Sequence, residues 1–416
     1  MNASEIGTPV ANERTQQRDS WLDWLQSRPA LWLGTVLALI SIADAIRNSI
    51  LHSLDFQWSP ARLLAQHIDP WAIYLSGDPA HRILLNQVPN DLHELYVAMM
   101  PFGYLAYMPA KVVWAIVNVA LVLLSCCLVA RMYELTRRRA WLLTVVVLTG
   151  TPTRVTIGNG QVTALVLVFL ALWSVSLSSS GRGLLLGAAW AKYSVPPVLA
   201  AFLLLRRRWR LLLCSVLPPA LGFLFIYGWL RTPFWTLLLE PFRTSANNVS
   251  PGLANVMAIG EIALRHPPLF RPVPDAFYLS NSAGWALAIP YLCGVLLAVA
   301  IAVFLFTSGK QTLEVDGRIL MACLMAACLL CFKHQIYDFL FLIFPLGLAL
   351  KVGPSRARNW LLGLIGYFWY LERLLHIRRW EFWPAVVIIS FGVLLGLIAA
   401  TWRLRGEVRW KTDWQL

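Results

Sequence analysis

Long apolar runs recur along almost the whole chain, and they restrict its fold more than any other feature. Of 416 residues, 58% are hydrophobic and 13% are charged, whereas a soluble globular domain carries about 25% charged residues. Many runs approach the length of about 20 residues that a helix needs to cross a bilayer. A single soluble core does not bury so many runs. The sequence therefore predicts an all-α, polytopic transmembrane helical bundle of about 10–13 spans.

Basic residues gather in short segments between the apolar runs. The net charge is +14, with arginine triplets at residues 137–139 and 206–208. Such clusters are typical of cytoplasmic loops under the positive-inside rule, and they do not require nucleic acid as a partner. The predicted divisions are a cytosolic tail over residues 1–30, one transmembrane domain over 31–403 with outside loops at 52–95 and 231–283, and a basic cytosolic tail over 404–416.

Lys192 interrupts the apolar run of residues 184–205, and Pro196 and Pro197 follow it closely. Proline disfavours a helix interior, so two half-helices are expected to meet near Lys192. An ammonium group in hydrocarbon costs about 3 kcal/mol on insertion scales. Lys192 therefore either extends its ammonium group to the membrane interface or binds an anion, most simply a phosphate.

Asp55 stands where the first apolar run is expected to leave the membrane on the outside. Asp44 lies three helical turns earlier and is expected to pair with Arg47, one turn away. Asp55 is either a solvated or capping aspartate or a carboxylate beside an outside cavity. In the second case it can take a proton from an acceptor hydroxyl group.

A second polar cluster lies at residues 333–338, with Lys333, His334, Tyr337 and Asp338. On an α-helix, residues four apart share a face, so Asp338 is expected to orient the His334 ring. His334 can then donate a hydrogen bond to a phosphate. The alternative is a polar helix end at the membrane interface.

A polar turn, Asn159-Gly160-Gln161, separates two apolar runs and is predicted to lie outside. The seven cysteines all lie within apolar segments and are interpreted as small buried apolar side chains, so no metal is expected. The sequence has no phosphate-binding loop and no dinucleotide fingerprint, so no cofactor is expected either.

Five segments follow one another in the order of the motifs of glycosyltransferase family 87, within the C-type superfamily of integral membrane glycosyltransferases, and the chain resembles that family. The segments are Leu54-Asp55-Phe56; Asp69-Pro70-Trp71 with Tyr74; Tyr96 to Pro109; Gly158-Asn159-Gly160-Gln161 with Gly187 to Lys192 and Arg206 to Arg210; and Lys333-His334-Gln335-Ile336-Tyr337-Asp338-Phe339. Together they cover most of residues 50–345.

The resemblance implies an inverting enzyme that moves a hexose, with mannose as the leading candidate, from a polyprenyl-phosphate carrier to a glycan or glycolipid acceptor. The reaction would occur on the outer face of the bacterial inner (cytoplasmic) membrane. By position, Asp55 is the catalytic base and His334 contacts the donor phosphate. Lys192 and Lys333 are added as phosphate ligands on physical grounds. The expected supporting residues are Asp338, Tyr337, Gln161, Asn159 and Tyr96.

Two other functions remain compatible with the sequence. One is a transporter or flippase of a lipid-linked sugar, which is expected to show an internal repeat between its halves. The sequence shows no evident repeat. The other is a noncatalytic membrane assembly subunit, in which Asp55 and Lys192 contribute only to the packing of the protein. A transporter should tolerate Asp55→Asn better than an enzyme that needs a base.

Overall fold

The computed structural model describes residues 24–85, 87–176, 178–247, 254–265, 284–311, 316–371, 383–408 and 410. Every regular element within these residues is helical, which confirms the all-α prediction. Most of the predicted N-terminal tail lies outside the described residues. The same holds for parts of the predicted loop at 231–283 and of the C-terminal tail, so these divisions stay predictions.

The helices divide at a break near Lys192. Those before the break are α1 (Arg28–His52), α2 (Trp58–Ala65), α3 (Pro70–Leu75), α4 (His93–Gly103), α5 (Tyr107–Met132), α6 (Arg137–Thr149), α7 (Thr151–Gly158), α8 (Thr163–Val175) and α9 (Ser179–Ala189). Those after it are α10 (Pro196–Leu205), α11 (Trp209–Leu230), α12 (Phe234–Asn247), α13 (Val256–Arg265), α14 (Gly284–Gln311), α15 (Gly317–Cys331), α16 (Ile343–Lys351), α17 (Arg356–Gly366) and α18 (Trp383–Arg403). Short 3₁₀ or π-helical segments are Trp190–Lys192, Ile336–Leu342, Tyr367–Leu371 and Leu404–Gly406.

Several helices are long and apolar enough to cross a membrane, which makes the chain polytopic, as predicted. Four described helices qualify by length and composition, namely α1, α5, α11 and a last helix counted as Pro384–Gly406. The pair α6 and α7, bent by 58°, gives up to five. Other apolar helices, such as α8 and α15, have only 10–17 residues. Since a residue adds 1.5 Å to a helix, most of these are shorter than a bilayer core of about 30 Å. The described residues therefore combine four or five full-length spans with several shorter apolar helices.

The predicted break at Lys192 is confirmed. Helix α9 ends at Ala189, a single 3₁₀ turn covers Trp190–Lys192, and α10 begins at Pro196. Proline is tolerated at the first position of a helix because the amide it lacks would have no helical partner there. The break leaves the Lys192 side chain inside the protein, with the residue 9% exposed. Non-helical backbone at this depth requires a protein or cavity environment.

Helix α9 approaches α11 closely through two glycines on one face. A Cβ atom on Gly183 would lie 2.6 Å from the Leu211 carbonyl oxygen, and one on Gly187 would lie 2.6 Å from the Ser215 carbonyl oxygen. Small residues four apart allow such contact between helix backbones in membrane proteins. The first half-helix before Lys192 is thus held firmly against its neighbour.

The segment between α1 and α5 is folded against the helical body. A Cβ atom on Gly103 of α4 would meet the Ala61 carbonyl oxygen of α2 at 2.5 Å, so these helices also touch through backbone. Asp69 caps α3 by accepting the amide protons of Trp71 and Ala72. The second carboxylate oxygen of Asp69 accepts a hydrogen bond of 3.0 Å from the Thr232 hydroxyl group. The two predicted outside loops therefore contact each other.

The two ends of α5 differ in charge and in neighbours. Near its start, the Trp114 indole donates a hydrogen bond of 2.8 Å to the Gly160 carbonyl oxygen. Just beyond its end, Glu134 pairs with Arg318 and Lys351 at 3.3 Å each. At 1.5 Å per residue, Trp114 and Met132 are about 27 Å apart along the helix. The basic cluster and the Gly160 turn thus lie at opposite ends of the bundle.

Candidate active site

A cavity of about 510 Å³ brings together seven of the nine residues that the sequence predicts for the site. These seven are Asp55, Asn159, Gln161, Lys192, Lys333, Tyr337 and Asp338. His334 and Tyr96 do not line the cavity, although each contacts a residue that does. The cavity therefore joins the end of α1, the turn after α7, the break before α10 and the segment after α15.

The Asp55 carboxylate is fixed on the cavity wall by the turn between α7 and α8. Its backbone amide donates to the Asn159 carbonyl oxygen at 3.3 Å, and the Ser53 hydroxyl donates to the same oxygen at 3.0 Å. The Gln161 side chain donates to the Asp55 carboxylate at 2.7 Å. Three residues after the end of α1, the chain is thus tied to a segment that is distant in sequence.

Burial is the main cause that raises the pKa of Asp55, to about 6. The hydrogen bond from Gln161 and the positive charge of Lys192 act in the opposite direction, and they limit the rise. Proton transfer is most efficient when the pKa of the base lies near the working pH. Asp55 is therefore ionised at neutral pH and basic enough to accept a proton from a hydroxyl group.

The Asn159-Gly160-Gln161 turn needs glycine at its centre. Gly160 has a φ of +70°, and a Cβ atom there would meet the Phe56 Cβ at 2.8 Å and the Ser53 hydroxyl at 3.0 Å. L-residues with side chains disfavour this left-handed conformation. The turn is consequently pressed against the segment that carries Asp55.

Lys192 and Asp338 form a buried ion pair beside the cavity. The ammonium group lies 2.6 Å from the Asp338 carboxylate and donates to the Thr163 hydroxyl at 3.1 Å. Thr163 in turn donates to the same carboxylate at 2.9 Å. The ammonium also lies 4.5 Å from the centre of the Tyr337 ring. Lys192 is thus held in one position and does not extend into bulk water.

His334 lies behind Asp338 and is only 1% exposed. Its Nδ1 atom is 3.2 Å from the Asp338 carboxylate, and its Nε2 atom is 3.0 Å from the Cys328 carbonyl oxygen. Both partners accept hydrogen bonds, so the ring satisfies both when each nitrogen carries a proton. The predicted contact between His334 and Asp338 is confirmed.

The contact between His334 and Asp338 does not depend on α-helical backbone at His334, although its four-residue spacing was argued on a helix. The chain is extended after α15, and a 3₁₀ helix begins only at Ile336. The turn is stabilised by Asp338, whose carboxylate accepts a hydrogen bond of 3.2 Å from the Gln335 backbone amide. This local hydrogen bond competes with a regular helix and brings His334 and Asp338 together without one.

The predicted pairing of Asp44 with Arg47 is wrong. Asp44 pairs with Arg154 of α7 at 3.2 Å. Helices α1 and α7 lie so close that a Cβ atom on Gly158 would be 2.7 Å from the Asn48 side chain. Tertiary contact therefore replaces the local pair, and Asp44 is not among the residues that line the cavity.

Gln57, Asn90 and Asp91, all in the predicted outside loop at 52–95, are among the polar residues of the cavity wall that the sequence did not indicate. Tyr96 supports two of them, because its hydroxyl group donates to the Gln57 side chain at 3.4 Å and accepts the Asp91 backbone amide at 3.3 Å. The Tyr96 ring is fully buried. The sequence marks Asp91 only as one of several acidic residues in the predicted outside loop.

Within the described part of the chain, no group of three or more histidine, cysteine, aspartate or glutamate side chains is arranged to hold a metal ion. The polar residues that line the cavity carry carboxylates, ammonium groups, amides and hydroxyl groups. Such a set can exchange a proton and stabilise an anion within one enclosed volume.

A helical bundle with membrane-spanning helices and a partly buried carboxylate beside lysines has the features of a group-transfer enzyme. Residues 95–332, more than half of the chain, match the family model of glycosyltransferase family 87. The chain belongs to glycosyltransferase family 87, which confirms the resemblance and indicates a glycosyltransferase. The matched segment contains Tyr96, Asn159, Gln161 and Lys192, whereas Asp55 lies before it and residues 333–338 follow it. Neither a curated protein nor a solved structure matches the chain.

Proposed function

We propose that the chain is an inverting glycosyltransferase that moves a hexose, mannose foremost, from a polyprenyl-phosphate carrier to a glycan or glycolipid. The observation that carries this proposal is that Asp55, Lys192 and Lys333 line one cavity. A base and two cations are the groups that this transfer requires, because a hydroxyl group must lose a proton and a phosphate must leave as an anion.

Asp55 acts as the base. Its carboxylate takes the proton of an acceptor hydroxyl group, whose oxygen attacks the anomeric carbon from the face opposite the phosphate. The new glycosidic bond forms while the bond between the anomeric carbon and the phosphate oxygen breaks. The electron pair leaves with the polyprenyl phosphate. The sugar acquires positive charge in the transition state, as in glycosidases, and its anomeric configuration inverts.

Lys192 and Lys333 stabilise the departing phosphate. An ammonium group has three protons, and Lys192 directs two of them to Asp338 and Thr163. One proton therefore remains for a ligand in the cavity. The negative charge of Asp338 offsets part of the Lys192 charge, so the second cation, Lys333, adds to the binding of an anion. Charges fixed in advance stabilise a transition state without reorganisation.

His334 acts on the phosphate through its neighbours. Both of its ring nitrogens face protein acceptors, and the ring does not line the cavity. A direct contact with the donor phosphate would require the ring to leave both partners. We therefore assign His334 a positioning role, in which it holds the Asp338 carboxylate that in turn fixes Lys192.

The cavity faces the outside of the cytoplasmic membrane in this proposal. Glu134, Arg318 and Lys351 lie at the far end of α5 from the cavity, and Arg139 donates there to the Lys351 carbonyl oxygen at 3.1 Å. The positive-inside rule assigns such a basic end to the cytoplasm. A lipid-linked donor in the outer leaflet could then reach the cavity from the bilayer.

The proposal is tested with purified protein in liposomes. Polyprenyl phosphates that carry mannose, glucose or galactose are offered as donors beside the corresponding nucleotide sugars, and the anomeric configuration of the product is read by NMR. We expect transfer from a polyprenyl-phosphate hexose with inversion. Transfer from a nucleotide sugar, or retention of configuration, contradicts the proposal. Movement of the intact lipid-linked sugar across the bilayer without transfer would favour the flippase alternative.

A further inference from the structure

Part of the cavity wall has no role in the proton transfer or in the binding of the phosphate. It consists of Gln57, Asn90 and Asp91, which we call the Asp91 cluster. Gln57 follows α1 and precedes α2, whereas Asn90 and Asp91 precede α4. The predicted outside loop thus contributes two of its segments to the same cavity.

A buried tyrosine fixes the Asp91 cluster. The Tyr96 hydroxyl group accepts the Asp91 backbone amide and donates to the Gln57 side chain, at 3.3 Å and 3.4 Å. The Tyr96 ring itself lies edge-on to Trp71, with 5.2 Å between ring centres. Because an aromatic ring in a packed core has little freedom, the Gln57 side chain and the Asp91 backbone keep a fixed relation to each other.

The Asp91 carboxylate has unused capacity to accept hydrogen bonds. Among the residues that the structure describes, none donates a hydrogen bond to it, and burial raises its pKa to about 7. Asp55 differs, since its carboxylate accepts a hydrogen bond from the Gln161 side chain. A half-buried carboxylate that receives no hydrogen bond from the protein is stabilised by a ligand or water that supplies donors. Asp91 is therefore suited to a ligand that carries hydrogen-bond donors.

The charge pattern of the cavity indicates which part of a ligand meets the Asp91 cluster. A carboxylate repels a phosphate, so the anionic part of a donor belongs beside Lys192 and Lys333. Vicinal hydroxyl groups of a sugar ring offer two donors to a carboxylate, and amide side chains both donate and accept. A hexose ring is neutral and supplies both kinds of partner.

We propose that Asp91, together with Gln57 and Asn90, binds the hydroxyl groups of a hexose ring in the cavity and so determines which sugar is accepted. This inference rests on the proposed transfer of a hexose and names the residues that recognise it. The group that these residues recognise is a pyranose hydroxyl group. It belongs either to the sugar of the donor or to the terminal sugar of the acceptor.

The test measures equilibrium binding, so that it does not depend on turnover. Wild type and the Asp91→Asn variant are titrated with polyprenyl phosphate, with polyprenyl-phosphate mannose, and with a hexoside acceptor. A hydrogen bond to a charged group contributes about 1.5–3 kcal/mol, so we expect the variant to bind one of the two sugar ligands about 10–100-fold more weakly. Binding of polyprenyl phosphate should be unchanged or tighter, because a negative charge is removed.

The arms of the test separate the two sources of the sugar. Weaker binding of polyprenyl-phosphate mannose assigns the Asp91 cluster to the donor, and weaker binding of the hexoside assigns it to the acceptor. A deoxy-sugar ligand that lacks the recognised hydroxyl group should bind wild type and variant equally. The inference is overturned if Asp91→Asn binds both sugar ligands as tightly as wild type does. It is also overturned if the variant binds polyprenyl phosphate more weakly by the same factor as the sugar ligands.

Two controls keep this test distinct from the test of the proposed function. Asp78→Asn replaces a carboxylate of the same loop outside the cavity, and we expect it to bind all three ligands as wild type does. A wild-type protein that binds the hexoside but neither polyprenyl-phosphate ligand would contradict the proposed donor, while the acceptor arm would still decide the role of Asp91. Circular dichroism of each variant verifies its fold.

Discussion

Gln161 donates a hydrogen bond of 2.7 Å to the Asp55 carboxylate, across 106 residues of sequence. This contact fixes the candidate base and also favours its charged form, because a hydrogen bond to a carboxylate lowers its pKa. The contact depends on the Gly160 turn, which presses against Phe56 and Ser53. Position and basicity of Asp55 are therefore set by the same short segment.

The pH dependence of transfer should follow the ionisation of Asp55. Burial raises the pKa of this carboxyl to about 6, and a base must be ionised to accept a proton. We expect kcat/KM to fall as the pH decreases below about 6, and to level off above it. The profile of kcat/KM reports groups of the free enzyme. Asp91→Asn should keep this midpoint if Asp55 is the titrating group.

Removal of the Gln161 amide should move that midpoint upward. The hydrogen bond from Gln161 lowers the pKa of Asp55, so its loss in Gln161→Ala raises the pKa and shifts the profile to higher pH. The same series of kcat/KM measurements decides the matter. A midpoint that stays in place or moves down would show that Gln161 does not control the basicity of Asp55.

The buried pair of Lys192 and Asp338 should behave as one unit. Removing one member of a buried pair costs about 3–5 kcal/mol, because the other charge is left without compensation. We expect Lys192→Met and Asp338→Asn each to lower the free energy of unfolding substantially. The double variant should lose less free energy of unfolding than the two single variants lose in sum. Denaturant unfolding of all four proteins gives the coupling energy, and strictly additive losses would contradict this prediction.

Gly160→Ala should disturb both stability and transfer. A side chain at the φ of +70° costs about 1–2 kcal/mol, and the added Cβ atom would meet Phe56 at 2.8 Å. We expect a lower unfolding temperature and a fall in kcat of about tenfold or more, since small displacements of a catalytic group reduce rate strongly.

The matched control for this change is Gly228→Ala. Gly228 lies within α11, and a Cβ atom there would meet nothing within 4 Å. Alanine is favoured over glycine inside a helix by about 0.5–1 kcal/mol, so this variant should be as stable as wild type or more so. Equal effects of the two substitutions would show that the Gly160 turn has no special role.

Features with local causes were predictable from the sequence. The break near Lys192 follows from Pro196 and Pro197, which act on the backbone beside them. The contact between His334 and Asp338 was predicted from their spacing of four residues, although the backbone there is extended and then 3₁₀. The end of an apolar run made Asp55 a candidate, and the resemblance to the family motif then suggested its role as base.

Features that depend on tertiary contact were not predictable. The partner of Asp44 is Arg154, because α7 folds back against α1. Asp91 joins the cavity through the Tyr96 hydroxyl group, a bridge that no sequence spacing indicates. Apolar runs such as α8 and α15 form helices of only 10–17 residues, which is shorter than a full-length span. Composition does not report where such a run bends or ends inside the protein.

The central claim is that the Asp55 carboxylate is the base for glycosyl transfer, and the turnover of Asp55→Asn tests it most directly. The amide keeps the size of the side chain but cannot take the proton. With polyprenyl-phosphate mannose as donor, we predict that kcat falls by about 10²–10⁴, whereas the unfolding temperature stays close to that of wild type and Asp78→Asn retains full turnover. An Asp55→Asn protein that transfers sugar at the wild-type rate would contradict the account.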